Sequence, residues 1–494
     1  MALSSQTDAR GGVEEGVAAF GMEIESDTKT GETQHIASSK SNKLKFFPLI
    51  FLIYFEVSGG PFGEETAVEA AGPLLALLGF ILFPFVWSIP EALLTAELAT
   101  AYPGNGGYVV WAWNAFGPFW GFLMGWWKWV GGVINNAAIV ALCLDYLKII
   151  IPAFRHGPMR IVGISVCTVV LSYLNFSGLT IVGWTAVILG MISLMPFFLM
   201  FFFSIPKLKP SRWMVGPKGD TNWSLYFNTL FWNLNFWDNA STLAGEMDHP
   251  QRTFPRALFY SGLLSCVGYI LPLLAITGAL ELKRELWTDG YLADAAGHIA
   301  GAWLKYWIEV GSVLSTVGMF EAQLSSASFQ LLGMAEIGLL PAFMAKRSVY
   351  NTPFLGILVS AGGTLLLSFV NFTTIMWAAN FLYSCGMLLE FASFLWLRHK
   401  FPALSRPFRV PVKIPCLIVI VTAPVALLLF IMTLANLAVY IISISVTVVG
   451  VLGYFLMNAC KKRNLMVFSV TGQSGVQSFA EDRTEEQAEP RLNL

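Results

Sequence analysis

Phe55-Glu56-Val57-Ser58-Gly59-Gly60-Pro61-Phe62-Gly63 lies near the middle of an apolar stretch that runs from residue 46 to 70. Such a stretch is long enough to cross a bilayer, since about 20 apolar residues span the ~30 Å hydrocarbon layer. Its centre is a poor helix. Two adjacent glycines cost about 1 kcal/mol each against alanine, and a proline about 3. Pro61 also removes an N–H and clashes with the carbonyl four residues back. Broken backbone at membrane depth is tolerated only where it is buried in protein or lines a wet cavity. The break is therefore expected to border a functional site rather than to be a simple kink.

Eleven further apolar stretches follow: 74–101, 117–147, 159–178, 184–205, 225–246, 256–281, 303–333, 352–371, 373–397, 415–435 and 438–458. Only closed hydrogen-bonding structures survive in lipid, so the expected fold class is an all-α integral membrane protein with about 12 transmembrane helices. Composition agrees: 55% of the 494 residues are hydrophobic and 12% charged, about half the usual charged share of a soluble protein. Residues 45–460 form one twelve-span domain. The tails, 1–44 and 461–494, are polar and rich in Ser, Thr, Glu, Gln and Gly, and read as disordered. Residues 1–44 lack the apolar core of a signal peptide.

Twelve spans put both tails on one side. Loops on that side hold 15 Lys and Arg against 10 on the other, which points to cytoplasmic termini. The plasma membrane is the expected host, with an endomembrane as the alternative. A formal net charge of −1 argues for no nucleic-acid partner. The six cysteines show no CxxC and read as packing residues, and the five histidines fall in tails or loops without metal-ligand spacing. No P-loop occurs, so no ATP-driven cycle is expected, and no metal or cofactor is expected either.

A second stretch repeats the anomaly of the first. Phe231-Trp232-Asn233-Leu234-Asn235-Phe236-Trp237-Asp238-Asn239 puts three asparagines and an aspartate inside an apolar span. Such residues are expensive in lipid and compete for backbone hydrogen bonds, so this span is expected to unwind as well. The two interrupted spans are the first and sixth, at equivalent places in two five-helix halves, 1–5 and 6–10, followed by two C-terminal helices. Interrupted helices in corresponding positions point to a midplane binding site in an inverted-repeat transporter.

The order of motifs along residues 45–460 resembles the amino acid–polyamine–organocation (APC) superfamily. The glycine-rich break is followed by Pro103-Gly104-Asn105-Gly106-Gly107-Tyr108, similar to the family's loop after helix 2. Gly245-Glu246-Met247-Asp248-His249-Pro250-Gln251-Arg252-Thr253-Phe254-Pro255 is similar to its E-x-x-x-P-x-R-x-x-P signature. Trp396-Leu397-Arg398-His399-Lys400 and Arg406-Pro407-Phe408-Arg409-Val410-Pro411 resemble a loop of the L-type amino acid transporter branch. The wording of residues 55–63, with Asp238, looks most like that branch's plant polyamine uptake transporters.

Acids dominate the spans. Glu56, Glu91, Asp238, Glu321 and Glu390 lie deep, against one deep base, Lys128. A charge at the bilayer centre costs at least ~2.5 kcal/mol, so each of these faces a partner, a cavity or substrate. A carboxylate-rich cavity selects cations. Amino-acid members of the family seat the substrate carboxylate on the exposed amides of broken helix 1, whereas a polyamine wants acids at intervals and aromatic faces worth roughly 0.5–2 kcal/mol each. Glu56 and Asp238 are the expected ammonium ligands, with Ser58, Gly59 and Gly60 at the break and Trp232, Trp237 and Tyr383 as aromatic walls. Glu390 is a distal ammonium site or a proton relay. Each has a plainer alternative. Glu56 could pair with Lys128, Asp238 could cap the following half-helix, and the aromatics could be packing. Glu91 and Glu97 are expected to bond within the bundle or at its rim rather than to touch substrate.

Buried carboxylates can exchange protons near neutral pH, and the resemblance implies proton symport. Span 5, from Trp184 to Ser204, holds no ionisable residue, so the helix-5 lysine of some proton-coupled relatives has no counterpart. Glu56, Glu321 and Glu390 are the proton-coupling candidates. The expected function is import of polyamines (spermidine, putrescine, spermine) by alternating access. The alternatives are a neutral or cationic amino-acid carrier, a membrane enzyme, for which no nucleophile or His–Asp pair is evident, or a nutrient sensor on a transporter fold. Whether a companion subunit is needed is open.

Overall fold

The computed structural model describes residues 43–216, 219–281, 284–288, 290–369 and 372–469. Fifteen α-helices follow in order: α1 (Phe46–Val57), α2 (Glu65–Val86), α3 (Ser88–Ala101), α4 (Tyr108–Phe116), α5 (Pro118–Ile150), α6 (Pro158–Phe176), α7 (Leu179–Ser204), α8 (Trp223–Leu234), α9 (Pro250–Ala279), α10 (Tyr291–Ala300), α11 (Ala302–Glu336), α12 (Phe354–Leu367), α13 (Phe372–Lys400), α14 (Ile414–Thr433) and α15 (Leu437–Lys462). Among the described residues there are no strands, only isolated bridges between Leu44 and Met247 and between Pro341 and Phe468.

Local chemistry sets the helix ends. Gly117 and Gly157, at φ 95° and 76°, turn the chain just ahead of Pro118 and Pro158; glycine permits the turn, and proline at the first helical position loses an N–H that would be unpaired anyway. Asn222 and Asn436 cap α8 and α15 by accepting the Leu225 and Val439 amides, each at 3.0 Å.

Among the described residues, eight helical stretches are long and apolar enough to cross a membrane, and Phe46–Val57 and Phe354–Leu367 are apolar but shorter. The first expected span is two pieces, α1 and the start of α2, separated by residues 58–64. Gly72, at φ 82°, ends the second piece, and a new run begins at Pro73 within α2. The sixth span likewise stops at Leu234, unwinds through 235–238 and resumes as a 3-10 helix, Asn239–Glu246. α11 is 35 residues long yet stands outside the eight, and its middle carries Glu321, Gln323, Ser325, Ser326 and Gln330, all buried. Protein surrounds it, so its polar groups are met by neighbours rather than by lipid.

The layering follows from this. α5 packs against α11 and α13, and α11 also packs on α7. α6, α7, α14 and α15 turn outward side chains such as Val169, Ile188, Val419 and Ile444, all exposed. A multi-pass membrane protein, with lipid as its outer solvent, accounts for that surface.

Leu44 donates to the Glu246 carbonyl at 2.9 Å, and the Ala342 amide donates to the Val467 carbonyl at 2.8 Å, so Leu44 and Val467, both within the expected tails, are tied to the bundle. Residues 1–42 and 470–494 lie outside the described residues.

Close approach of α11 to the loop after α3 depends on Gly333, where a Cβ would land on the backbone of Asn105 and Gly106; a Cβ on Gly104 would meet nothing within 4 Å. Gly333→Ala is expected to lower stability by about 1–3 kcal/mol through overpacking. Gly104→Ala is expected to leave the melting temperature of the detergent-purified protein near wild type.

Candidate functional site

The first break is held open by glycine. Gly59, Gly60 and Gly63 adopt φ of 68°, 111° and 93°, a left-handed range that side chains disfavour. Four of its amides find acceptors within the chain. Ser58 and Gly59 donate to the Tyr54 carbonyl at 2.9 and 3.2 Å. Gly60 donates to Ser58 Oγ at 3.4 Å and Gly63 to Glu65 Oε2 at 2.8 Å.

The second break uses other elements. Phe236 sits at φ 71°, a strained value for an aromatic residue. Its amide donates to the Tyr383 hydroxyl of α13 at 3.0 Å, and the Trp237 amide donates to Glu91 Oε1 of α3 at 2.8 Å. Side chains from two neighbouring helices thus take up hydrogen bonds that α8 relinquishes.

Those side chains converge on one ammonium. Lys128, on α5, reaches Asp238 Oδ2 at 2.5 Å and stands 3.8 Å from Glu390 Oε2. Its Nζ lies 3.7 Å from the centre of the Tyr383 ring, 5.2 Å from that of Tyr108 and 3.0 Å from Met387 Sδ. The Tyr383 hydroxyl also touches Asp238 Oδ1 at 2.7 Å and Glu91 Oε1 at 2.5 Å. The result is a cage of carboxylates and aromatic faces, the surroundings that stabilise a desolvated cation. Asp238, Glu91 and Glu390 are each 0% exposed.

Glu56 lies beside this cage with a different set of partners. Ser326 Oγ donates to its Oε1, Asn239 Nδ2 to its Oε2 at 3.3 Å, and Gln323 Nε2 to its main-chain oxygen at 2.8 Å. Lys128 therefore pairs with Asp238 and Glu390 and not with Glu56. Asp238 makes no side-chain cap on the 3-10 helix that follows it, so the capping alternative is also set aside.

The aromatic residues divide. Tyr383 faces the ammonium. Trp232 donates from Nε1 to Asn135 Oδ1 at 2.7 Å and its ring abuts Gly63 of the first break. Trp237 donates to the Leu234 carbonyl at 2.9 Å and its ring tip lies against Gly262 of α9. Phe236 packs edge-on to Tyr383 at 4.5 Å between ring centres. Glu321 lies elsewhere, receiving the Asn175 amide of α6 at 3.2 Å. Lys128, Glu91, Tyr108 and Met387 were not foreseen as members of the cage. Lys128 carried a signal, being the deep base among many acids, but sequence spacing alone does not say which acid it meets.

The quoted motifs meet at one end of the bundle. Glu246 accepts from Asn105 Nδ2 at 2.8 Å and pairs with Arg347 at 2.7 Å. Glu97 pairs with Arg398 and, at 3.0 Å, with Arg406, and it accepts the Val410 amide at 2.8 Å, as expected of a rim acid. No group of three or more His, Cys, Asp or Glu placed to hold a metal occurs among the described residues.

Residues 44–460 match the family model for amino acid permease. The probable polyamine transporter At1g31830 of Arabidopsis thaliana is 53% identical over 435 residues, covering 88% of each chain. Polyamine transporter RMV1 of the same plant is 53% identical over 431 residues, 87% of this chain and 88% of its own. Polyamine transporter PUT1 of Oryza sativa subsp. japonica is 50% identical over 432 residues, 87% of this chain and 81% of its own.

Tyr383→Phe keeps the ring against Lys128 but removes the hydroxyl that serves Asp238, Glu91 and the Phe236 amide. Stranding buried polar groups costs roughly 1–3 kcal/mol, so this variant is expected to unfold at lower temperature than Tyr440→Phe, whose hydroxyl serves a single carbonyl, that of Met432, at 2.7 Å.

Proposed function

Since the chain belongs to the amino acid permease family, we propose that it is a secondary transporter that carries polyamines such as spermidine, putrescine and spermine across the plasma membrane into the cell, with both termini cytoplasmic and with protons as the coupling ion. The observation that carries the substrate class is the cage around Lys128. A primary ammonium already rests there, between Asp238 and the face of Tyr383, within a group of acids that outnumbers it: Glu56, Glu91, Asp238 and Glu390. An excess of buried carboxylate is costly until a cation answers it. A slender polycation answers several at once, and the names of the relatives agree.

The first break supports the same choice. An amino-acid substrate would need free amides there for its carboxylate. Here the amides of Ser58, Gly59, Gly60 and Gly63 already have acceptors, one of them the carboxylate of Glu65. Glu56, Asp238, Glu390 and Lys128 are all buried, so a working cycle must open them to one side and then to the other.

Among the three proton-coupling candidates, geometry favours Glu56. Its oxygens face a hydroxyl and an amide, Ser326 and Asn239, and a neutral carboxyl there strands no cation. Glu390 stands beside Lys128, and the Glu321 carboxylate bonds to Asn175 of α6.

Spermidine uptake into proteoliposomes tests the reading. Uptake is expected to rise as the outside is acidified. Asp238→Asn should lower it at least tenfold, the loss of one charge-assisted bond of about 1.5–3 kcal/mol. Glu56→Gln should flatten its pH dependence. Leucine uptake that spermidine does not inhibit would reject the polyamine assignment in favour of an amino-acid carrier.

A further inference from the structure

Glu390 is the odd member of the cage. Both of its carboxylate oxygens are buried, neither accepts from a hydrogen-bond donor, and the group faces the Asp238 carboxylate. Yet the Lys128 ammonium stands only 3.8 Å from Oε2. Buried carboxylates are ordinarily satisfied, so an acid that holds a cation only at this long range, with no donor of its own, has room for a closer one. The distance to be covered is short. The stem of Lys128 lies along Gly386, one turn before Glu390 on α13, where an added Cβ would come within 2.7 Å of Lys128 Cε. A small movement of one flexible side chain therefore exchanges one carboxylate for the other.

The polyamine reading adds the second half. A substrate ammonium seeks the same contacts that Lys128 now holds, Asp238 on one side and the Tyr383 ring on the other. Two cations cannot occupy them together. Nor can the acids be left bare, since a buried carboxylate stripped of its partner is strongly unfavourable.

Resting on that reading, we propose that Lys128 is a tethered stand-in for the substrate's ammonium, seated on Asp238 in the empty carrier and displaced to Glu390 when a polyamine arrives. The acid cluster then has a cation in both conditions, and the empty carrier can close and reset without substrate. The device also sorts solutes. A neutral or anionic guest offers Asp238 nothing in exchange for the lysine, so Lys128 keeps its seat. Lys128 and Glu390 are thus positioning and selectivity residues, and Glu390 acts through the lysine rather than by touching the substrate.

A double-mutant cycle distinguishes this from direct contact. Spermidine binding is measured by calorimetry on the purified full-length protein for wild type, Glu390→Gln, Lys128→Met and the double variant. Glu390→Gln is expected to weaken binding about tenfold, equivalent to 1.4 kcal/mol, because the lysine has nowhere to go. Lys128→Met is expected to bind at least as tightly as wild type, and adding Glu390→Gln to it should change nothing. An equal loss from Glu390→Gln in both backgrounds, or weaker binding by Lys128→Met, overturns the proposal. Should Lys128→Met fail to fold, a structure of the wild type with spermidine decides. Nζ on Glu390 supports the proposal, and Nζ still on Asp238 overturns it. Absence of spermidine binding to wild type would instead reject the polyamine reading on which the proposal rests.

Discussion

The bridge between Lys128 and Asp238, 2.5 Å long and sealed from solvent, is the constraint on which the centre of this protein depends. A carboxylate at that depth needs a cation, and an ammonium needs acceptors. Asp238 reaches it because α8 ends at Leu234 and the chain runs unwound to Asp238. That in turn requires acceptors for the orphaned amides, and Tyr383 and Glu91 supply them. Tyr383 also lies against the ammonium, and Glu91 bonds to Tyr383, so backbone repair and cation binding are linked through one side chain. Loss of either would disturb both.

The scaffold around this centre sorts its helices by solvent. α11 keeps its glutamate, glutamines and serines among protein neighbours, while α14 and α15 turn apolar side chains outward. Charge pairs at one end of the bundle, Glu246 with Arg347 and Glu97 with Arg398 and Arg406, tie the loops after α3, α11 and α13 to the inner helices. The Glu97 pairs are buried, so removing one partner would leave an uncompensated charge.

Much of this was legible in the sequence because its cause is local. Gly59, Gly60 and Pro61 forbid a continuous helix whatever surrounds them, and the asparagines at 233 and 235 weaken the next one. Asp238 and Tyr383 could be named because the resemblance and the excess of acid pointed to the same places. Pairing was not legible, because it is set by helix rotation and tertiary distance. Lys128 and Asp238 are separated by 110 residues, and nothing local distinguished Asp238 from Glu56 as the partner. Glu91 was read as a bundle-bonding acid, and it does bond within the bundle, to the Trp237 amide. Its second contact, with Tyr383, makes it part of the cage. Trp237 stands next to Asp238 in sequence, but the unwound turn sends its ring toward α9 and gives Phe236 the place beside Tyr383.

The central claim is that surplus buried acid, gathered at two helix breaks, selects a guest by its positive charges. The direct measurement is the affinity of the purified protein for a graded series: butylamine, putrescine, spermidine and leucine. The account predicts that binding tightens with each added ammonium and that leucine does not bind. Affinity indifferent to the number of ammonium groups, or leucine binding more tightly than spermidine, would contradict it.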